Sequence, residues 1–178
     1  MWKVIKEETL VDNRWLTVHK QKVELQDGMI MGDFYTVTIP DAAAIVALDE
    51  YGNIILKKEY KHATGKELIE IPAGMFEPDE TDGLATAKRE LIEETGYTSD
   101  DWQYLGETVE SSSKLTNRMH LYLAQNCRKT DTQHLDETEH LDVLVVPFEK
   151  AIQMIMDNEI ICNSSAHGIF KTKELLRK

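Results

Sequence analysis

The stretch Arg89-Glu90-Leu91-Ile92-Glu93-Glu94-Thr95-Gly96 places the tightest limit on what this chain can fold into. Taken as a helix, it sets Glu90, Glu93 and Glu94 at i, i+3 and i+4, so three carboxylates share one stripe. Leu84, Ala87 or Lys88, and Leu91 fall at helical spacing and would face a core. Thr81 or Asp82 is placed to cap the start, and Gly96 suits the left-handed position that ends helices. Three like charges on one stripe repel each other and weaken the helix. The stripe is therefore either a solvated acidic face or the site of a hard cation, which prefers oxygen ligands. Arg89 is within reach of Glu93, or of Glu80 upstream, and would hold a carboxylate in position.

Around this helix the chain is rich in strands. Arg14 to Glu24 and Met29 to Ile39 alternate loosely about Gln26-Asp27-Gly28, which predicts a β-hairpin closed by Pro40. Ala43 to Leu48 and Asn53 to Leu56 form a second pair about Glu50-Tyr51-Gly52. Leu68 to Ile71, Trp102 to Val109, His120 to Ala124 and Val143 to Val146 are further strands. Phe148 to Met156 has helical periodicity through Phe148, Ile152 and Ile155 or Met156. Asn163 to Leu176 closes the chain as a helix with Ile169, Leu175 and Leu176 as candidate buried residues. Strands and helices do not alternate strictly, so the class is α+β, a mixed sheet with helices on both faces.

Charge narrows the partners. The 178 residues, enough for one sizeable domain, carry a formal net charge of -12. A nucleic-acid backbone needs a positive surface, so it is excluded as the main partner. An acidic protein that binds polyphosphate needs divalent cations between the two. No apolar run approaches the ~20 residues of a membrane span, and the N-terminus does not resemble a signal peptide. Cys127 and Cys162 lie outside metal-ligand spacing, so buried free thiols in a reducing cytoplasm are expected. The six histidines form no ligand spacing, and no zinc site is expected.

Gly74, then Glu80 after five residues, then Arg89 to Tyr97 resembles the signature of the Nudix hydrolase family. There the order is Gly, five residues, Glu, seven residues, then Arg-Glu, an aliphatic, any residue, Glu-Glu, any residue, Gly and an aliphatic. Here eight residues, Thr81 to Lys88, separate Glu80 from Arg89, with the extra one in Thr81-Asp82-Gly83. Tyr97 replaces the final aliphatic. Lys57-Lys58-Glu59-Tyr60-Lys61-His62 followed by Glu67 to Gly74 resembles the ADP-ribose pyrophosphatase branch, with Glu59 and Lys61 in place of Gln and Arg. Leu135 to Val143 is similar to that branch's acidic loop, and the N-terminal hairpin to a segment that reaches across a homodimer. Ser111 to Arg118 departs from the branch, where a Ser-Pro-Gly loop ending in an acid is usual.

The resemblance implies an α/β/α sandwich with a mixed sheet over residues 41–178, and an N-terminal antiparallel β-sheet over residues 1–40 used for dimerisation. It implies Mg2+-dependent cleavage, with Mn2+ as a substitute, of a nucleoside diphosphate linked to another moiety: ADP-ribose to AMP and ribose 5-phosphate. Other nucleotide sugars or dinucleotides (a GDP-sugar, FAD, NADH) are alternatives, as is a non-catalytic nucleotide-binding regulator. Carried over residue by residue, Glu90 and Glu94 are metal ligands, Glu93 a ligand or water-mediated support, and the Ala73 carbonyl a further ligand. Glu139 is the candidate for orienting or deprotonating the attacking water, and a candidate metal ligand, with Glu137 as second choice. Arg89 joins them as a catalytic candidate. Lys61, Trp15 and Arg118 are candidates for substrate contact. Core or dimer packing is the alternative for Trp15, and a plain surface loop for Arg118. Lys57, Lys58 and Lys61 are expected mainly as a solvated strand edge.

Overall fold

A computed structural model describes residues 1–137 and 139–177. Its described residues form eleven strands and three helices in two compact units. One unit comprises Met1–Asp41 with Val109–Arg118; the other comprises Ala42–Thr108 and the chain from Met119 onward.

The first unit is a three-stranded antiparallel sheet, order β1-β2-β3: β1 (Lys3–Asp12), β2 (Thr17–Glu24) and β3 (Ile30–Thr38). The turn between β2 and β3 is the expected one. Asp27 accepts the Met29 N–H at 3.0 Å, and Gly28 takes a φ of 83° that a side chain would disfavour. Strand β1 was not legible in the sequence. Its Val4, Ile5, Leu10 and Val11 are exposed and broken by Lys6, Glu7 and Glu8, so neither face shows a period of two. Pairing supplies the order instead, from Val4 opposite Val23 to Asp12 opposite Thr17, with two register shifts. Val109–Arg118 is held to β3 by backbone bonds, Val37 N–H to the Lys114 carbonyl at 2.8 Å and Thr116 N–H to the Val37 carbonyl at 3.2 Å.

The second unit is built on an eight-stranded mixed sheet. Its strands are β4 (Ala42–Asp49), β5 (Asn53–Lys61), β6 (Lys66–Glu70), β7 (Ala73–Met75), β8 (Tyr97–Thr98), β9 (Asp101–Thr108), β10 (Met119–Lys129) and β11 (Leu141–Pro147). The main path runs β11-β5-β4-β10-β8; β6 joins β5, β7 joins β4 and β9 joins β10. β4 and β10 are parallel, whereas the other pairs are antiparallel. β4 is apolar on both faces because both faces are covered. Ala44, Val46 and Leu48 pack with Ile152 and Met154 of α2 (Phe148–Met156) and Ile169 of α3 (Asn163–Leu176). Ala43, Ile45 and Ala47 pack with Ala87 and Leu91 of α1 (Gly83–Thr95). The alternation of β4 thus fixes an α/β/α layering, with α1 alone on the face that carries the acidic stripe.

The caps of α1 are those the sequence offers. The Asp82 carboxylate accepts the Leu84 N–H at 2.9 Å, and Gly96, at a φ of 75°, donates to the Ile92 carbonyl at 2.8 Å. Among the expected core positions, Ala87 rather than Lys88 faces inward. Ile155, not Met156, packs in α2, and Leu176 is 51% exposed as the last residue of α3. Cys127 is buried, but Cys162 lies at the start of α3 and is only partly covered. No described helix is long and apolar enough to cross a membrane.

Candidate active site

The site grows from the contact between α1 and strand β7. β7 pairs with β4, Gly74 opposite Ala43 and Ala73 opposite Ala44, so its backbone is fixed by the most buried strand of the sheet. Glu90 and Glu94, one helical turn apart, point at that backbone. Glu94 is 4% exposed; one carboxylate oxygen accepts the Ala73 N–H at 3.0 Å and the other accepts from the Lys57 ammonium. Lys57 also donates to the Ala73 carbonyl at 3.2 Å. The Glu90 carboxyl lies where a side chain at position 74 would go: a Cβ there would sit 2.0 Å from Glu90 Cδ. Gly74 is therefore required for close approach rather than for an unusual φ.

Arg89 ties the stripe together. It forks onto Glu80, Nε to Oε1 at 3.1 Å and Nη2 to Oε2 at 3.0 Å. Its Nη1 reaches Glu90 at 2.7 Å and Glu93 at 3.0 Å, and Nη2 also reaches the Met75 carbonyl at 3.1 Å. The sequence left Arg89 a choice between Glu80 and Glu93; the structure uses both. The extra residue before the helix does not separate Glu80 from Arg89. Glu80 still returns to Arg89, steadied by the Glu77 N–H at 2.9 Å and the Thr86 hydroxyl at 3.0 Å. The Arg89 hydrogen bonds hold the Glu80 carboxyl down at about 2, and the Glu80 bond in turn raises the guanidinium further above its ordinary value.

Burial works the other way on the inner pair. It is the largest influence on Glu90 and on Glu94, lifting Glu90 above its ordinary value and Glu94 to about 7, while Arg89 and Lys57 respectively pull back. For Lys57, burial is again the largest influence and disfavours its charge. Glu94, Glu59 and Glu70 outweigh it and keep the group an ammonium.

Lys57 is a correction to the strand-edge expectation. It is 2% exposed, because β5 is an interior strand flanked by β11 on one side and by β4 and β6 on the other. Alternation along β5 puts Lys57, Glu59 and Lys61 on the α1 face, whereas Lys58 points the other way and pairs with Glu67 at 2.7 Å. Lys61 meets Glu59 at 2.5 Å and Glu70 at 3.6 Å, and Lys57 lies 3.6 Å from Glu59. No period in the sequence distinguishes Lys57 from Lys58; their separation needs the register.

The acidic loop is moored to the last turn of α1. Gln133 Nε2 donates to the Glu94 carbonyl at 2.8 Å, and the His134 N–H to the Glu93 carbonyl at 2.8 Å. Gln133 was not anticipated, since a lone glutamine in a polar loop carries no pattern. Within the loop, Glu139 is partly buried and accepts the Asp136 N–H at 3.2 Å, while Glu137 is exposed. Trp15 and Arg118 belong to the other unit. Trp15 is exposed under the Arg14 guanidinium at 4.2 Å, and Arg118 is exposed with its N–H on Asp41 at 2.7 Å.

Among the described residues no three His, Cys, Asp or Glu side chains converge as a ready metal cage. The inner carboxylates are instead held by two resident cations, Lys57 and Arg89. The chemistry of the donors nevertheless fits a hard cation. Glu94 and the Ala73 carbonyl already bind a positive group between them, and Glu90 stands on the adjoining backbone, all of them oxygen donors.

The profile described as NUDIX domain matches residues 38–161, and that described as nucleoside diphosphate sugar hydrolase N-terminal domain matches residues 2–37. A methanol dehydrogenase activator of Bacillus methanolicus is 32% identical over 89% of this chain and 85% of its own length. An ADP-ribose pyrophosphatase of Bacillus subtilis (strain 168) is 29% identical over 98% of this chain and 95% of its own. The crystal structure of an ADP compounds hydrolase superposes with a TM-score of 0.84 at 23% identity, covering 99% of this chain and 94% of the other, which shows a shared fold.

Proposed function

The chain belongs to the NUDIX domain family, and from that premise we propose that it is a Mg2+-dependent pyrophosphohydrolase that cleaves ADP-ribose or a related nucleotide sugar. The preferred reaction is ADP-ribose plus water to AMP and ribose 5-phosphate. The observation that carries this reading is the seating of Glu90 and Glu94 against the Ala73–Gly74 backbone, with Arg89 bracing Glu80, Glu90 and Glu93.

Glu90, Glu94 and the Ala73 carbonyl would hold the ion, with Glu93 as direct or water-mediated support and Glu139 as an added ligand. Bound there, Mg2+, or Mn2+ in its place, would neutralise charge on the pyrophosphate oxygens, the dominant need in phosphoryl transfer. The chain's own residues do the rest. Glu139, or Glu137 failing it, orients the attacking water and takes its proton. The water oxygen forms the new P–O bond and the bridging P–O bond breaks. Arg89 keeps the acids in register, and Lys61 lies on the charged face of β5 where a phosphate could meet it. Trp15 and Arg118 are proposed contacts for the nucleoside part.

Residues 1–40 are proposed as a dimerisation region and 41–178 as the hydrolase domain. The exposed apolar residues of the N-terminal sheet, Val4, Leu10 and Val11 on β1 and Ile30 on β3, are the observation that supports a homodimer. The two free cysteines suit the cytoplasm. Phosphate-bearing products from ADP-ribose, GDP-sugars, FAD and NADH, identified by mass with and without Mg2+, test the reading. Turnover of ADP-ribose that needs Mg2+ supports it. Binding without turnover of any compound overturns it in favour of a non-catalytic nucleotide-binding regulator.

A further inference from the structure

We infer that Lys57 is a tethered cation that occupies the Glu94–Ala73 end of the acidic stripe in the resting protein and must leave it before a divalent ion can bind there. The inference rests on the metal reading above. Lys57 Nζ is bonded at once to the Glu94 carboxylate and to the Ala73 carbonyl, the two oxygens that the site offers to a cation at this end. Both side chains are nearly closed to solvent, so the ammonium and a divalent ion cannot share the space. Two positive charges on one buried carboxylate would also repel strongly.

The same strand offers the lysine somewhere to go. Glu59, two residues on and on the same face, has its nearer oxygen 3.6 Å from Nζ, and Glu70 stands opposite Lys57 in the β5–β6 register. Lys61 bridges these two acids at 2.5 and 3.6 Å. A rotation of the lysine stem would move the ammonium from Glu94 to Glu59 without exposing it as an unpaired charge. The array thus has two arrangements: one with Lys57 on Glu94, and one with Lys57 on Glu59 and Glu94 free for a divalent ion. Apparent affinity for the ion is lowered by the fraction of molecules in the first arrangement.

Mn2+ binding measured by electron paramagnetic resonance on the full chain tests this, comparing wild type, Lys57→Met and Lys58→Met. If Lys57 holds the site in nine molecules of ten, its removal tightens Mn2+ roughly tenfold. Lys58→Met, which removes the same charge from the opposite face, leaves affinity unchanged. Equal Mn2+ affinity in wild type and Lys57→Met overturns the inference while leaving the metal site standing. No Mn2+ binding by any of the three overturns both. Should Lys57→Met fail to fold, the wild type decides: the 15Nζ resonance of Lys57 shifts on saturation with Mg2+ if the ammonium moves, and an unmoved resonance at saturating Mg2+ refutes the inference.

Discussion

Replacing Gly74 by Ala isolates the position of one carboxylate. The new Cβ would lie 2.0 Å from Glu90 Cδ and Oε1 and 2.3 Å from Oε2. Ordinary contact starts near 3.4 Å, so the carboxyl must retreat by about 1.4 Å, the difference between 3.4 and 2.0. The backbone at position 74 is an extended strand residue, which alanine accepts, and the clashing atoms are the end of a flexible side chain. Stability should therefore change by less than about 1 kcal/mol. Activity should not be spared. Misplacing a positioned group by ~1 Å costs about 10²-fold, or about 2.7 kcal/mol of barrier. Steady-state kcat/KM with the preferred substrate at saturating Mg2+, beside a urea melt, separates the two effects. A Gly74→Ala protein that keeps wild-type stability and stays within about threefold of wild-type kcat/KM would refute the argument that Glu90 works from where it is held.

Glu80→Gln tests the brace. The Glu80 carboxyl is held at about 2, below its ordinary 4.5, so its contribution is present above about pH 4.5 and fades as pH falls toward 2. The full shift would be worth about 3 kcal/mol. Because both side chains of the pair still reach solvent, which screens it, about 1 kcal/mol is expected at pH 7, with the two stability curves converging near pH 2; parallel curves in urea melts across that range would count against the brace. Glu94→Gln removes the carboxylate that holds Lys57 and leaves the ammonium to Glu59, so a loss of about 1–3 kcal/mol is expected together with loss of turnover; an unchanged melting profile would contradict the buried pair. Glu139→Gln should lower kcat by about 10²–10⁴-fold with little change in stability; a near wild-type kcat would exclude Glu139 and pass the role to Glu137.

Much of the frame was legible because it rests on local rules. The hairpin at Asp27-Gly28, the helix from its Asp82 cap to Gly96, and α3 over Asn163–Leu176 all follow from turn chemistry and period. β1 and β7 were not legible. One is exposed on both faces and the other is three residues long, so pairing with β2 and β4 defines them. Leu176 and Met156 are apolar yet exposed, because helix ends and loop rims lack a neighbouring layer to cover them.

The site divides along the same line. Sequence alone determined the acidic stripe, since spacings of three and four on a helix fix which side chains share a face whatever the fold. It also set Arg89 beside that stripe. Which groups meet the stripe was decided only by the tertiary structure. Lys57 faces Glu94 and Lys58 faces away, because β5 is an interior strand whose register against β6 and β11 sets the direction of every side chain. Gly74 receives Glu90 because β7 is pinned to β4. Gln133 reaches the end of α1 because the acidic loop returns there. These are contacts between residues 16 to 39 positions apart, and no local period along the chain encodes such a separation; only the packing of sheet against helix closes it.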